Sequence, residues 1–177
     1  MLRLFDLPEG EELRHRFATG IQLLKQEFHT QGQQFGYVYE RGAVIDDGTP
    51  VEGSTVTEYH RTAHPGARAP HVRLRRALDG AQLSTIDLFD RRWTLLAGRR
   101  GTLWTGAGVT VPEVAAYTIG ADGDFDTDTD WQALYGISDT GAVLVRPDGH
   151  VAARWREAPA TPELALRTAL RTLLTTS

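Results

Sequence analysis

Three of the six histidines of this chain, His60, His64 and His71, fall close together, with Tyr59, Arg61 and Arg68 among them. On a helix, His60 and His64 would share a face and could ligate a metal, but Pro65 and Gly66 oppose a helix there. On an extended chain the two lie about 13 Å apart, too far for one ion. No metal is assigned. The residue types instead suit a polar pocket, with His64, His71 and Asp87 as acid/base groups. Arg68 would hold an anionic oxygen, and Tyr59, His60 and Trp104 would supply a binding wall. The alternative is structural: Arg68 and His71 tie their loop to backbone carbonyls or to Asp87.

Other chemistry is excluded by composition. The 177 residues include no cysteine, which removes thiolate nucleophiles, disulfides and thiol redox chemistry. Gly-x-Ser-x-Gly is absent as well. The loop Asp122–Asp130 alternates carboxylates but lacks the glycine and terminal glutamate of a calcium loop, so it reads as a solvated segment in which Asp128 or Asp130 caps the next helix. The net charge is −4 with dispersed basic residues, which argues against nucleic acid as a partner. No signal peptide and no apolar run of membrane-spanning length is present, so a soluble, cytoplasmic protein is expected.

The elements that must position these groups follow from periodicity. Leu13, Phe17, Ile21, Leu24 and Phe28 form one stripe, predicting a helix from Glu9 to Thr30 that stops at Gly32 and packs on the main body or forms a dimer surface. Phe35–Tyr39 reads as a short strand, and Thr55–Leu74 as a strand followed by a crossing loop. Trp93–Gly98 and Val111–Gly120 are candidate buried strands, followed by a helix near Trp131–Tyr135. Pro147-Asp148-Gly149 turns a hairpin between Ala142–Arg146 and His150–Trp155. A last helix starts at Thr161-Pro162 with Leu166, Leu170, Leu173 and Leu174 on one face. The expected fold is α/β: a thioredoxin-like mixed sheet flanked by helices over 35–177, with an N-terminal helical arm over 1–34.

Three blocks carry a family resemblance: Pro65-Gly66-Ala67-Arg68-Ala69-Pro70-His71, Asp87-Leu88-Phe89 before the Trp93 strand, and Leu144-Val145-Arg146-Pro147-Asp148-Gly149. In this order they resemble the C-terminal domain of FAD-dependent aromatic-ring hydroxylases of the phenol and polyketide hydroxylase group. The resemblance implies a thioredoxin-like domain used for support and subunit contact. It departs from the complete enzymes in having no Gly-x-Gly-x-x-Gly turn for the FAD pyrophosphate. The chain alone is therefore expected to be neither a flavin hydroxylase nor a thiol oxidoreductase, and no cofactor is assigned.

Two functions follow. One is an accessory, dimerisation or small-molecule-binding module of aromatic or polyketide metabolism, a homodimer whose partner is a separate flavin hydroxylase subunit or an aromatic or polyketide small molecule. The other is a cofactor-free tailoring enzyme of cyclase, isomerase or dehydratase type.

Overall fold

A computed structural model describes residues 10–28, 30–51 and 53–175. It divides into two compact units. One takes in residues up to Gly36 together with Gly53–His60, and the other comprises Tyr37–Glu52 and the chain from Arg61 onward.

In the first unit, α1 spans Glu11–Phe28, with Glu11 and Glu12 at the positive end of its dipole. Glu9 lies outside the described residues. Phe17, Ile21 and Leu24 keep about half of their surface exposed. The chain does not stop at Gly32 but forms a second short helix, α2 (Gln31–Phe35). Gly32 is required there because a Cβ would lie 1.8 Å from the Thr55 carbonyl oxygen. The expected strand at Phe35–Tyr39 is absent: Phe35 ends α2, and Gly36 closes it by donating to the Gly32 carbonyl. No strand forms at Thr55 either.

The second unit opens with β1 (Arg73–Arg76) and β2 (Gln82–Ser84), followed by a 3-10 turn at Thr85–Leu88. Then come β3 (Trp93–Ala97), α3 (Thr102–Val109), β4 (Val114–Thr118), β5 (Phe125–Asp126) and α4 (Trp131–Tyr135). The hairpin β6 (Ala142–Val145) and β7 (Val151–Trp155) precedes α5 (Pro162–Thr175). One sheet has the order β4-β3-β6-β7, with β3 parallel to β4 and antiparallel to β6, as befits a strand–helix–strand unit joined to a hairpin. The second sheet, β2-β1-β5, includes a strand inside the acidic loop, where two residues of Asp-rich sequence show no apolar period.

Alternation along β3 decides the layers. Leu95 and Ala97 face Trp104, Leu144, Leu166 and Leu170, beneath α3 and α5. Leu96 faces the other way, toward Leu74, Val143, Trp131 and Tyr135. Both faces are covered, which is why β3 and β6 read as continuous apolar runs. Each fully buried leucine here contributes roughly 1.5–3 kcal/mol of transfer free energy. No described helix is long and apolar enough to cross a membrane.

Candidate functional site

The first and third resemblance blocks meet through the backbone, and Leu88 and Phe89 of the second pack on the core that holds Ala69 and Val145. The Pro65–Pro70 segment runs along β7: Gly66 N donates to Val151 O at 2.8 Å, Val151 N to Ala67 O at 2.9 Å, and Ala69 N to Gly149 O at 2.9 Å. Gly66 has φ +90°, and Tyr39 N donates to its carbonyl, so an exposed tyrosine pair folds over the hairpin. Beneath that pair lies His150. Its ring centroid is 5.5 Å from that of Tyr37 and 5.0 Å from that of Tyr39, and neither ring nitrogen has a hydrogen-bond partner. Asp148 Oδ1 is 3.4 Å from Nδ1, close enough for charge attraction but outside hydrogen-bonding geometry. The Tyr37 hydroxyl is pushed above its ordinary pKa, chiefly by its hydrogen bond with Tyr39.

His64 is buried at the base of a cleft of about 430 Å³. Its Nδ1 meets Pro65 O at 2.7 Å and its Nε2 meets Thr49 O at 2.9 Å. A neutral ring carries one hydrogen and can donate to only one of these carbonyls. Beside it, Arg154 on β7 donates from Nε to Asp47 Oδ2 at 2.6 Å and from Nη2 to Thr49 Oγ1 at 2.7 Å. Burial of the Asp47 carboxyl opposes ionisation, but donation from Arg154 and Thr49 outweighs it and holds the group below the usual carboxylate range. Asp46, Asp47 and His64 also bring potential metal ligands within 4.8 Å of one another. The guanidinium already occupies Asp47, and both His64 nitrogens face carbonyls, so these groups are not arranged to receive a cation.

Asp87 sits elsewhere. Its Oδ2 accepts from Ser84 N at 2.7 Å in a capping box that starts the 3-10 turn. It also lines a cleft of about 880 Å³ with the apolar side chains Leu83, Leu88, Tyr117 and Phe125 and the charged side chains Arg76, Arg92, Asp90 and Asp124. Among the described residues no histidine lines that cleft, and neither Asp87 nor His71 lines the His64 cleft. His71 is exposed just before β1.

Of the expected binding residues, Trp104 is fully buried, donates from Nε1 to Thr140 O at 2.8 Å and packs on Trp155. Arg68 is exposed and forms a backbone bridge to His150. Tyr59 and His60 belong to the first unit, where Tyr59 packs on Phe35 and His60 approaches Glu58. Asp47, Thr49, Arg154 and His150 escape sequence reasoning because their partners lie far away along the chain and have no local spacing.

The turn between β3 and α3 is the only described strand–glycine–helix corner within a parallel pair, and so the place to test for a dinucleotide. It does not fit. A Cβ on Gly98 would lie 2.4 Å from Asp139 O, and Arg100 N donates to that same carbonyl at 2.9 Å. Arg99 also pairs with the Asp139 carboxylate at 2.7 Å. The Ser138–Asp139 loop thus covers the space a pyrophosphate would need, and its carboxylate repels one.

Comparison with known proteins agrees with this geometry. The model of the family described as aromatic-ring hydroxylase, C-terminal, matches residues 62–176. The chain is 41% identical over 147 residues to aklavinone 12-hydroxylase RdmE of Streptomyces purpurascens, covering 78% of this chain and 26% of that one. It is 37% identical over 150 residues to a 4-methyl-5-nitrocatechol 5-monooxygenase of a Burkholderia species, covering 80% of this chain and 27% of the relative. Among solved structures, the flavin-dependent monooxygenase PieE with FAD and substrate superposes with a TM-score of 0.83 at 34% identity, covering 97% of this chain and 31% of PieE. A ternary complex of aklavinone-11 hydroxylase with FAD and aklavinone gives 0.71 at 37%, over 82% and 27% of the two chains. The chain thus spans between a quarter and a third of the length of these relatives. On this match, and with the helix-flanked mixed sheet that the three motif blocks foretold, the chain belongs to the aromatic-ring hydroxylase C-terminal family.

Proposed function

We propose that this chain is a non-redox C-terminal module of aromatic or polyketide hydroxylation. It works with FAD- and substrate-binding parts supplied by the remainder of a longer polypeptide or by a separate flavin hydroxylase subunit. The observation that carries this reading is the match over 62–176 to the C-terminal part of hydroxylases about three to four times its length. The blocked β3–α3 corner supports it, since flavin must then be held elsewhere. The order β4-β3-β6-β7 with flanking helices supports a thioredoxin-like core, and the division into an arm over 1–34 and a domain over 35–177 belongs to the same reading, as do a homodimer and a cytoplasmic setting. The test is to incubate the purified chain with FAD, NADPH and a panel of phenols. The reading expects no retained flavin and no NADPH oxidation; stoichiometric flavin or turnover would overturn it.

A second reading is favoured by the 880 Å³ cleft, whose apolar, aromatic and charged side chains suit a small planar molecule. There Asp87 is the acid/base candidate, while His64, His71 and Arg68 would have to act at other places on the chain. Titrating an aromatic ligand panel against the protein, with Leu88→Asp as the disabled control, checks it. Binding that this variant leaves intact would contradict it.

A further inference from the structure

We propose that the cleft above His64 and Arg154 is a binding site for a small oxyanion, a carboxylate or a phosphate, gripped between Arg61 and Arg156. The cleft holds about 430 Å³ and is lined by Arg61, His64, Arg154 and Arg156, with no carboxylate among its described lining residues. The chain as a whole carries a net charge of −4, so this concentration of cations is not a general property of its surface.

The two classes of arginine in the cleft differ. Arg154 is committed: its side chain is 8% exposed and is held by Asp47, Thr49 and the Tyr135 carbonyl. Gly136 makes room for it, since a Cβ at that position, with φ +66°, would lie 2.8 Å from Arg154 Nη1. Arg61 and Arg156 are exposed and have neither a hydrogen bond nor an ion pair from their side chains among the described residues. They reach the same concavity from separate segments, the start of the His64 loop and the residue after β7. The committed ion pair and the His64–Thr49 contact fix the floor, so the two free guanidiniums stand over a rigid base. Each presents a planar fork of donors that matches the oxygens of a carboxylate or phosphate. Asp47 is satisfied by Arg154 and does not line the cleft, so it does not compete for these donors.

The experiment is a titration of the full chain at low ionic strength, followed by NMR or calorimetry, with inorganic phosphate in one arm and benzoate in the other. Arg61→Ala, Arg156→Ala and the double variant are compared with Arg91→Ala, an exposed arginine outside the cleft. Saturable binding is expected in at least one arm, weakened about tenfold by each cleft variant and unchanged in Arg91→Ala. Binding of phosphate alone assigns the site to a phosphate-bearing ligand, and binding of benzoate alone to a carboxylate. Absence of saturation in both arms, or equal weakening in Arg91→Ala, overturns the proposal. Unfolding curves of all variants keep the test independent of stability. Its outcome is also independent of whether the chain serves a flavin subunit.

Discussion

Arg154 Nε donates to Asp47 Oδ2 at 2.6 Å, joining β7 to a loop that lies 107 residues earlier in the chain. Both side chains are largely buried, so removing either leaves an unpaired charge in a poorly solvated place. Asp47→Ala and Arg154→Ala are each expected to lower stability by about 3 kcal/mol. Urea unfolding measures this; losses below the scatter of surface substitutions would show that the pair is solvent-screened.

The same pair sets an acid dependence. The Asp47 carboxyl is held below its ordinary 3.8 in the folded chain, despite the opposing effect of burial. A depressed carboxyl contributes its full stability above the unfolded value and loses it as pH falls through the folded value. Stability should therefore fall as pH drops through and below the ordinary carboxylate range, and Asp47→Asn should flatten part of that fall. Parallel pH profiles for the two proteins would contradict the assignment.

His150 makes an opposite kind of prediction. Both ring nitrogens are buried without a hydrogen-bond partner, between Tyr37 and Tyr39. Replacing an unsatisfied polar ring with an apolar one removes a desolvation cost of about 1–3 kcal/mol. His150→Phe is thus expected to be neutral or stabilising in a thermal melt. A marked destabilisation would mean that the ring makes polar contacts in solution.

Gly66 tests how the Pro65–Pro70 segment is held. Its φ is +90°, and a Cβ would meet Tyr39 O at 2.1 Å. Gly66→Ala should cost about 2 kcal/mol or more, from the left-handed backbone together with the clash. Hydrogen exchange should show the loss of protection at Val151 N, which donates to Ala67 O. Unchanged protection there would contradict this account of the segment.

Much of the fold was legible because its strands are buried on both faces. Leu95-Leu96-Ala97 and Val143-Leu144-Val145 leave no polar position to disguise them, and Pro147-Asp148-Gly149 has the chemistry of a turn. The same logic failed at Phe35–Tyr39, where Phe35 ends a short helix and Tyr37 and Tyr39 pack on the His150 ring instead of pairing in a sheet. It also failed at β5, where Asp126 is held by Arg75 across the ladder. Of the polar loop from His60 to His71, Arg61, Thr62 and His64 line the cleft with Arg154, whereas Arg68 and His71 do not. What anchors Arg154, namely Thr49 and Asp47, lies on a segment with no motif, and only tertiary structure brings them together. Asp87 was legible as an acidic residue, but not that its carboxylate accepts from Ser84 N.

The role proposed for this chain is that of the C-terminal part of a hydroxylase whose flavin is held by other parts. The most direct measurement is a chimera in which it replaces the matched segment of PieE, purified and examined for FAD absorbance and for substrate-dependent NADPH oxidation. The account predicts a folded flavoprotein that retains FAD and turns over, with flavin lost when the chain is assayed alone. A chimera that folds but neither holds FAD nor oxidises NADPH, beside an isolated chain that binds FAD stoichiometrically, would contradict it.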